Sequence, residues 1–189
     1  MKIQYFYLFI IVISLSSCFP LQQVQLEDLS KENLNLPFYI DEITIIDSRD
    51  TLRPMNWEVP ALSTKSREWI GNPEISSKNK QDIETIIMRT SKESGVPAQV
   101  KYRVIEGECK LISNWKSVTE YAKFKGEVTL FIPSRNYTYK SFAVMYYDNP
   151  TVSGTEKGTM RLYNQAVKNV THVALKEIMN EIEANKDQQ

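Results

Sequence analysis

Histidine appears once in this chain of 189 residues, and cysteine twice. The lone His172 cannot build a His-Glu-x-x-His zinc pair, and the two distant cysteines leave no Cys-x-x-Cys motif. Glycine is scarce, with six in all. No Gly-x-Ser-x-Gly elbow presents a nucleophile, and no glycine-rich loop ahead of a helix cradles a phosphate. Gly154 to Thr159 leads into a helix without phosphate-loop spacing and reads as a turn and a cap. Neither sign of charge dominates: 23 basic groups stand against 23 acidic ones. Nothing in the whole-chain charge points to nucleic acid. Internal repeats and low-complexity tracts are missing too. Apolar residues make up 42% of the chain, which argues against wholesale disorder and for a buried core.

Long apolar runs are also lacking. A bilayer takes about 20 apolar residues in a helix. The run from Tyr5 to Ile13 falls short of that. Lys2 precedes it and small residues follow, which are the three regions of a secretory signal. Leu15-Ser16-Ser17-Cys18 closes it and resembles the lipobox of bacterial lipoproteins. The resemblance implies diacylglycerol on the Cys18 thiol, cleavage just before Cys18, and acylation of the new amino group. Each buried methylene contributes about 0.8 kcal/mol, so two or three chains hold firmly. The residue after Cys18 is Phe19, not aspartate, and Pro20 to Gln25 carries no charge. In the lipoprotein family these features imply an outer-membrane position facing the periplasm, with the cell surface as the alternative.

With Cys18 carrying lipid, Cys109 has no disulfide partner within the chain, and it reads as a buried, inert small hydrophobe. The expected organisation is a signal at 1–17, then the lipidated cysteine and a flexible tether at 18–38. One domain follows at 39–184, and 185–189 fray. A tether of that length spans about 25 Å on average.

Within the domain, Tyr39 to Asp47 reads as a strand. Residues 48–75 show no period and carry three prolines with Trp57 and Trp69, which predicts a long loop. Ser76-Ser77 caps a helix running to Ser94. Val96 to Val104 alternates as a half-buried strand, and a second strand covers about 121–132. Pro133 to Asn136 makes a turn into a third, Tyr137 to Tyr147, with Phe142, Val144 and Tyr146 as its expected inner face. A long helix covers about 159–184, with Tyr163, Ala166, Val167, Val170, Ala174 and Ile178 on one side. His172 falls on the opposite side and is expected in solvent. The expected fold is α+β: a four-stranded antiparallel sheet with two helices packed on one face, in the order βαβββα.

This layout resembles a group of small bacterial cell-envelope lipoproteins with a lipobox, an early strand ending in an Asp-x-Arg turn, a helix, a meander and a long C-terminal helix. Here that turn is Asp47-Ser48-Arg49. The match covers about residues 40–180 and is one of pattern; the loop with two tryptophans departs from it. It implies a cell-envelope setting and no particular reaction.

Few residues suggest chemistry. Glu106, Glu108 and Cys109 are close in sequence, but alternation turns Cys109 away from the two acids, so a metal there is not expected. Asp47 and Arg49 read as a salt bridge at a structural turn. Lys101, Arg103, Lys123, Lys125 and Lys140 share the polar strand face, interrupted by Glu127 and Thr129, and form a possible binding surface for anionic headgroups or an acidic protein. Trp57 and Trp69 are candidates to line a pocket under the loop. No catalytic residue, metal site or cofactor is expected. The leading expectation is a non-catalytic accessory or scaffold protein, held to a membrane through Cys18 and binding another envelope protein. The alternative is a module that binds a small molecule or lipid with the 48–75 loop.

Overall fold

The structure is a computed structural model and describes residues 26–55, 57, 66–114, 117–151 and 154–186. The expected signal, Cys18 and Trp115 therefore lie outside the described residues. The strand that alternates from Val96 does not stop at Val104. A bulge at Ile105 resets its phase, and Gly107, Cys109, Leu111 and Ser113 continue the inner face. The strand order along the chain is β1 (Phe38–Asp47), β2 (Arg67–Gly71), β3 (Val96–Ser113), β4 (Val118–Ile132) and β5 (Tyr137–Thr151). Two α-helices complete it, α1 (Ser77–Thr90) and α2 (Glu156–Lys186).

The fold is α+β with a five-stranded mixed sheet, not the four-stranded antiparallel sheet expected. β1 runs parallel to the first half of β3, and β2 runs antiparallel to its second half along the same edge. β4 and β5 follow as an antiparallel meander. Short connections do make antiparallel neighbours of β3, β4 and β5. The same expectation fails at β1, because a helix separates β1 from β3 and a helical crossover returns the chain in the same direction. β2 lies inside the stretch read as structureless. Five residues on a sheet edge are too few to show a period.

Local signals set most element ends. Ser76 caps α1, its Oγ accepting from the Asn79 N–H at 3.1 Å. Asn136 takes the left-handed conformation at the β4–β5 turn, where asparagine is tolerated. Thr155 starts α2, with its Oγ1 accepting from the Gly158 N–H at 2.9 Å. α1 ends at Thr90 and not at Ser94, because other segments take over the backbone there. Thr90 O accepts from Leu36 N–H at 2.9 Å, and Ser91 Oγ accepts from Ile40 N–H at 2.9 Å.

Both helices bury apolar stripes against one face of the sheet in a single core. α2 lies over β4 and β5, and α1 packs beside it near β1. Gly126 lets α2 come close: a Cβ there would collide with the Tyr102 hydroxyl and sit 3.1 Å from Val170. Its partner on β5 is Ala143. This close approach decides the face that β5 buries. Tyr139, Ser141 and Ala143 face the helix, whereas Phe142 and Tyr146, expected inside, are 60% and 56% exposed. Alternation alone allowed either phase. Ser141 and Ala143 are the small residues of β5 directly under α2, and Tyr139 and Tyr147 flank them on the same face.

Residues 26–37, expected as the outer part of the tether, lie on the domain here. Ser30, Leu34 and Leu36 are buried. Any tether is left to residues 19–25, which lie outside the described residues. No described helix is long and apolar enough to cross a membrane.

Candidate functional site

Among the described residues, the polar side chains that bear on the expected sites lie at the junction of β1, β2 and β3, at the N-terminal strap on α2, and on the outer face of the sheet.

The junction forms where β1 ends. Ser48 makes the last bonds to β3, its N–H and hydroxyl both donating to Val104 O. β2 rejoins β3 at Gly71, opposite Cys109. Between them, β3 residues 105–108 border a cleft of about 650 Å³, lined also by residues 48–54, 70–72 and Lys123. Arg53 and Asn72 close the base of the loop with two backbone hydrogen bonds, at 2.9 and 2.8 Å.

Arg49 lies beneath the cleft with 3% of its side chain exposed. Its Nε donates to Asp47 Oδ1 at 2.7 Å, and Nη2 pairs with Asp47 Oδ2. Nη1 donates to Asn72 Oδ1 at 2.5 Å and to the Tyr163 hydroxyl at 3.3 Å. Gly107 makes room for it, since a Cβ there would fall 2.5 Å from Nη1. Burial pushes the Asp47 carboxyl up, but hydrogen bonds and charge from Arg49 outweigh it and hold it below its usual range. Burial likewise pushes the Arg49 guanidinium down, and Asp47 and Tyr163 hold it charged. Four of the five guanidinium N–H directions are thus used within the protein. Arg49 ties β1, the end of β2 and α2 together over β3, and is not aimed at an anion in the cleft. The Asp-x-Arg turn was visible in the sequence; Asn72, Gly107 and Tyr163 as its partners were not.

Cys109 sits nearby, fully buried, its thiol pushed up to about 12 chiefly by burial. A thiol in that range stays protonated at neutral pH and is a poor nucleophile. Glu106 and Glu108 lie on the opposite face, as alternation required. Glu106 pairs with Lys123 and Lys125, and Glu108 with Lys110. Among the described residues no three His, Cys, Asp or Glu side chains group to hold a metal.

The tryptophans do not line the cleft. Trp57 is half-buried against the core, 3.4 Å from where a Cβ on Gly71 would sit. Trp69 stands opposite Leu111 in the β2–β3 ladder.

His172 is 1% exposed, not on a solvent face. The strap covers it. Glu32 Oε2 lies 3.2 Å from His172 Nε2, and the same carboxylate takes Lys176 Nζ at 2.9 Å. One turn earlier, Asn169 Oδ1 accepts from Leu29 N–H at 3.1 Å. The Asn169 amide donates to Glu27 O at 2.8 Å and to the Tyr147 hydroxyl at 2.5 Å. Asn169, His172 and Lys176 recur at helical spacing, so one polar stripe of α2 holds the strap. The helix period put His172 on the side opposite Tyr163; it could not show that a segment over 130 residues away in sequence would lie there.

The five basic candidates do share the outer face. They are not a bare cationic patch. Arg103 and Lys140 meet Glu127 at 3.3 and 2.9 Å. Lys123 and Lys125 both meet Glu106. Lys123 lies 5.6 Å from the Tyr146 ring centre and Lys125 5.5 Å from that of Phe142. Lys101 stands beside them on β3, opposite Thr129. Glu127 follows Lys123 and Lys125 in the alternation of β4 itself; which bases each acid meets is set by the register between strands.

No protein-family model matches the chain, and no curated protein matches it. Among solved structures, the chain is similar to the crystal structure of a Xanthomonas campestris protein of family DUF330, with 11% identity and a TM-score of 0.45, over 80% of this chain and 90% of that one.

Proposed function

We propose that this chain is a lipid-anchored, non-catalytic envelope protein whose uncovered sheet face docks another envelope protein. The observation that carries the reading is that face. Two helices bury one side of the sheet, and the other side stays in solvent with Ile46, Ile70, Ile112, Phe142 and Tyr146 exposed. These form two groups, Ile46, Ile70 and Ile112 toward the β1–β2 edge and Phe142 with Tyr146 on β5, and exposed apolar side chains on an uncovered face favour an interaction site. Its charges are interleaved in sign, which suits a protein surface of mixed charge better than an anionic membrane. The anchor rests on the sequence, where Leu15 to Cys18 resembles a lipobox. With residues 26–37 laid on the domain, roughly eight residues link Cys18 to it, a reach of at most about 27 Å. The outer membrane, facing the periplasm, is the location that fits Phe19 after the cysteine.

Crosslinking in intact membranes, followed by mass spectrometry, tests the docking role. The wild-type chain should capture one envelope protein reproducibly, and Ile46→Glu with Ile112→Glu, on the same face but away from β5, should lose it. Equal capture by both chains, or none by either, refutes the role. For the anchor, Cys18→Ala should block processing and release the protein from the membrane. A variant of unchanged mature size that stays membrane-bound would refute the lipid.

A second reading uses the cleft at the β1–β2 junction. Its mixed lining, with Arg53, Glu106, Glu108 and Lys123, suits a small polar ligand better than a lipid tail. Native mass spectrometry of protein isolated from its own membranes should then show a bound small mass that Lys123→Ala reduces; a wholly unliganded spectrum refutes it.

A further inference from the structure

We infer that two copies of this chain join along β5, antiparallel about a two-fold axis through Val144, so that their sheets become one. This pairing stands or falls independently of the docking role proposed above.

The first observation is the state of the edge. β5 is the last strand of the sheet and pairs only with β4 among the described residues. It pairs with β4 over fifteen residues without one register shift. The other edge is broken, with a bulge in β1 and a separate short β2. Long regular edges are templates for another strand, and proteins blunt them with bulges, brevity or charge. β5 carries a proline, Pro150, near its end and two exposed charges, Lys140 and Asp148, but neither a bulge nor a break interrupts it.

The second observation is that β5 complements itself. A two-fold axis through Val144 sets Lys140 of one copy against Asp148 of the other, twice over. It also sets Phe142 against Tyr146, twice, and Val144 against itself. All five side chains lie on the outer face of the sheet. Opposite charges and aromatic pairs directly across an antiparallel ladder are its favoured contacts. Lys140 and Asp148 are both exposed, and Lys140 keeps donors to spare beyond its bond to Glu127. On the inner face the same axis opposes Ser141 to Tyr147 and Ala143 to Met145, with no like charges facing. Moving the axis one residue, to Met145, sets Phe142 against Asp148 and Lys140 against Pro150. The axis through Val144 is the one that pairs Lys140 with Asp148, and that ion pair, made twice, favours this register. Because the axis is normal to the sheet, both outer faces lie on the same side of the dimer.

Charge exchange tests this on the full-length chain, purified from its own membranes in mild detergent. Lys140→Asp sets two acids against each other across the dimer, and Asp148→Lys sets two lysines together. Each variant alone should associate with itself at least tenfold more weakly than wild type. Mixed, the two should associate at near wild-type strength, since every acid at these positions then faces a lysine. Differently tagged copies and analytical ultracentrifugation read both results. A variant that simply misfolds cannot be rescued by mixing, and neither a segment of the same chain nor another protein seated on β5 produces this pattern. In membranes, Val144→Cys should form a disulfide-linked dimer on mild oxidation, while Thr138→Cys, held about 40 Å from its twin by the register, should not. The inference is overturned by a monomeric wild-type chain at tens of micromolar, by single variants that self-associate normally, by a mixture that stays apart, or by a Val144→Cys chain that links to another protein.

Discussion

Phe124 and Phe142 sit on neighbouring strands of one sheet and meet opposite surroundings. Phe124 is fully buried, its ring edge-on to Tyr163 at 5.4 Å between centres. Phe142 is 60% exposed, with Lys125 beside its ring. The contrast extends to polar groups. Under the helices, Arg49, Asp47, Asn72 and Tyr163 satisfy one another and hold four elements in place. Across the sheet, Glu106 and Glu127 each serve two bases, Glu106 in contact with water and Glu127 largely covered by its neighbours on the strands beside it. A buried polar group must be paired or it costs heavily, whereas an exposed pair trades one set of hydrogen bonds for water's. The inner face therefore carries the stability of the domain, and the outer face is left to be used.

Substitutions can sharpen or break that contrast. The largest effect belongs to Phe124→Ala, which should cost about 4 kcal/mol in a urea melt through lost burial and a residual cavity. Phe142→Ala, compared with Phe124→Ala at concentrations dilute enough to keep every chain monomeric, should stay within about 0.5 kcal/mol. Comparable losses at the two positions would abolish the distinction. Next comes Arg49→Met, which strands Asp47 and Asn72 and should cost about 3 kcal/mol. The same variant should change the response to acid. Asp47 has a lowered folded-state pKa, so its contribution is complete above its unfolded pKa near 4 and fades as pH falls through the lower folded value. Wild type should thus lose stability below about pH 4 more steeply than Arg49→Met. Parallel acid curves would mean the pair contributes nothing there.

A smaller change is expected from Asn169→Ala, which removes partners of Leu29 N–H, Glu27 O and the Tyr147 hydroxyl. It should cost about 1–2 kcal/mol and speed amide exchange across residues 27–32 before the rest of the domain. Uniform exchange would show that the strap and core open together. The smallest effect is Lys123→Met on the outer face, within about 0.5 kcal/mol despite two partners, because both lie in solvent.

Much of the fold was legible in the sequence. The alternation in Val96 to Val104, the turn at Pro133 to Asn136 and the cap at Ser76 each act through a residue and its near neighbours. The stripe from Tyr163 to Ile178 likewise placed α2. The misreadings share another cause. The phase of β5 depended on Gly126 and the helix above it, not on β5. The burial of His172 depended on a segment at the other end of the chain. Glu127 among the five bases was legible, but the cross-strand pairs that Glu106 and Glu127 make with them were not. The candidate site suffered in the same way: Asp47 and Arg49 were noticed, but their buried partners come from residues 72, 107 and 163.

The sequence by itself determined the signal-like pattern that ends at Cys18, the buried character of Cys109, the balance of charge and the position of most elements, because these depend on residue type and short-range period. Only the tertiary structure decided that β1 runs parallel to β3, that residues 26–37 are strapped to the domain, and that Phe142 faces water. Those outcomes depend on which surfaces fit together, and fit is a property of pairs of segments that no single stretch of chain contains.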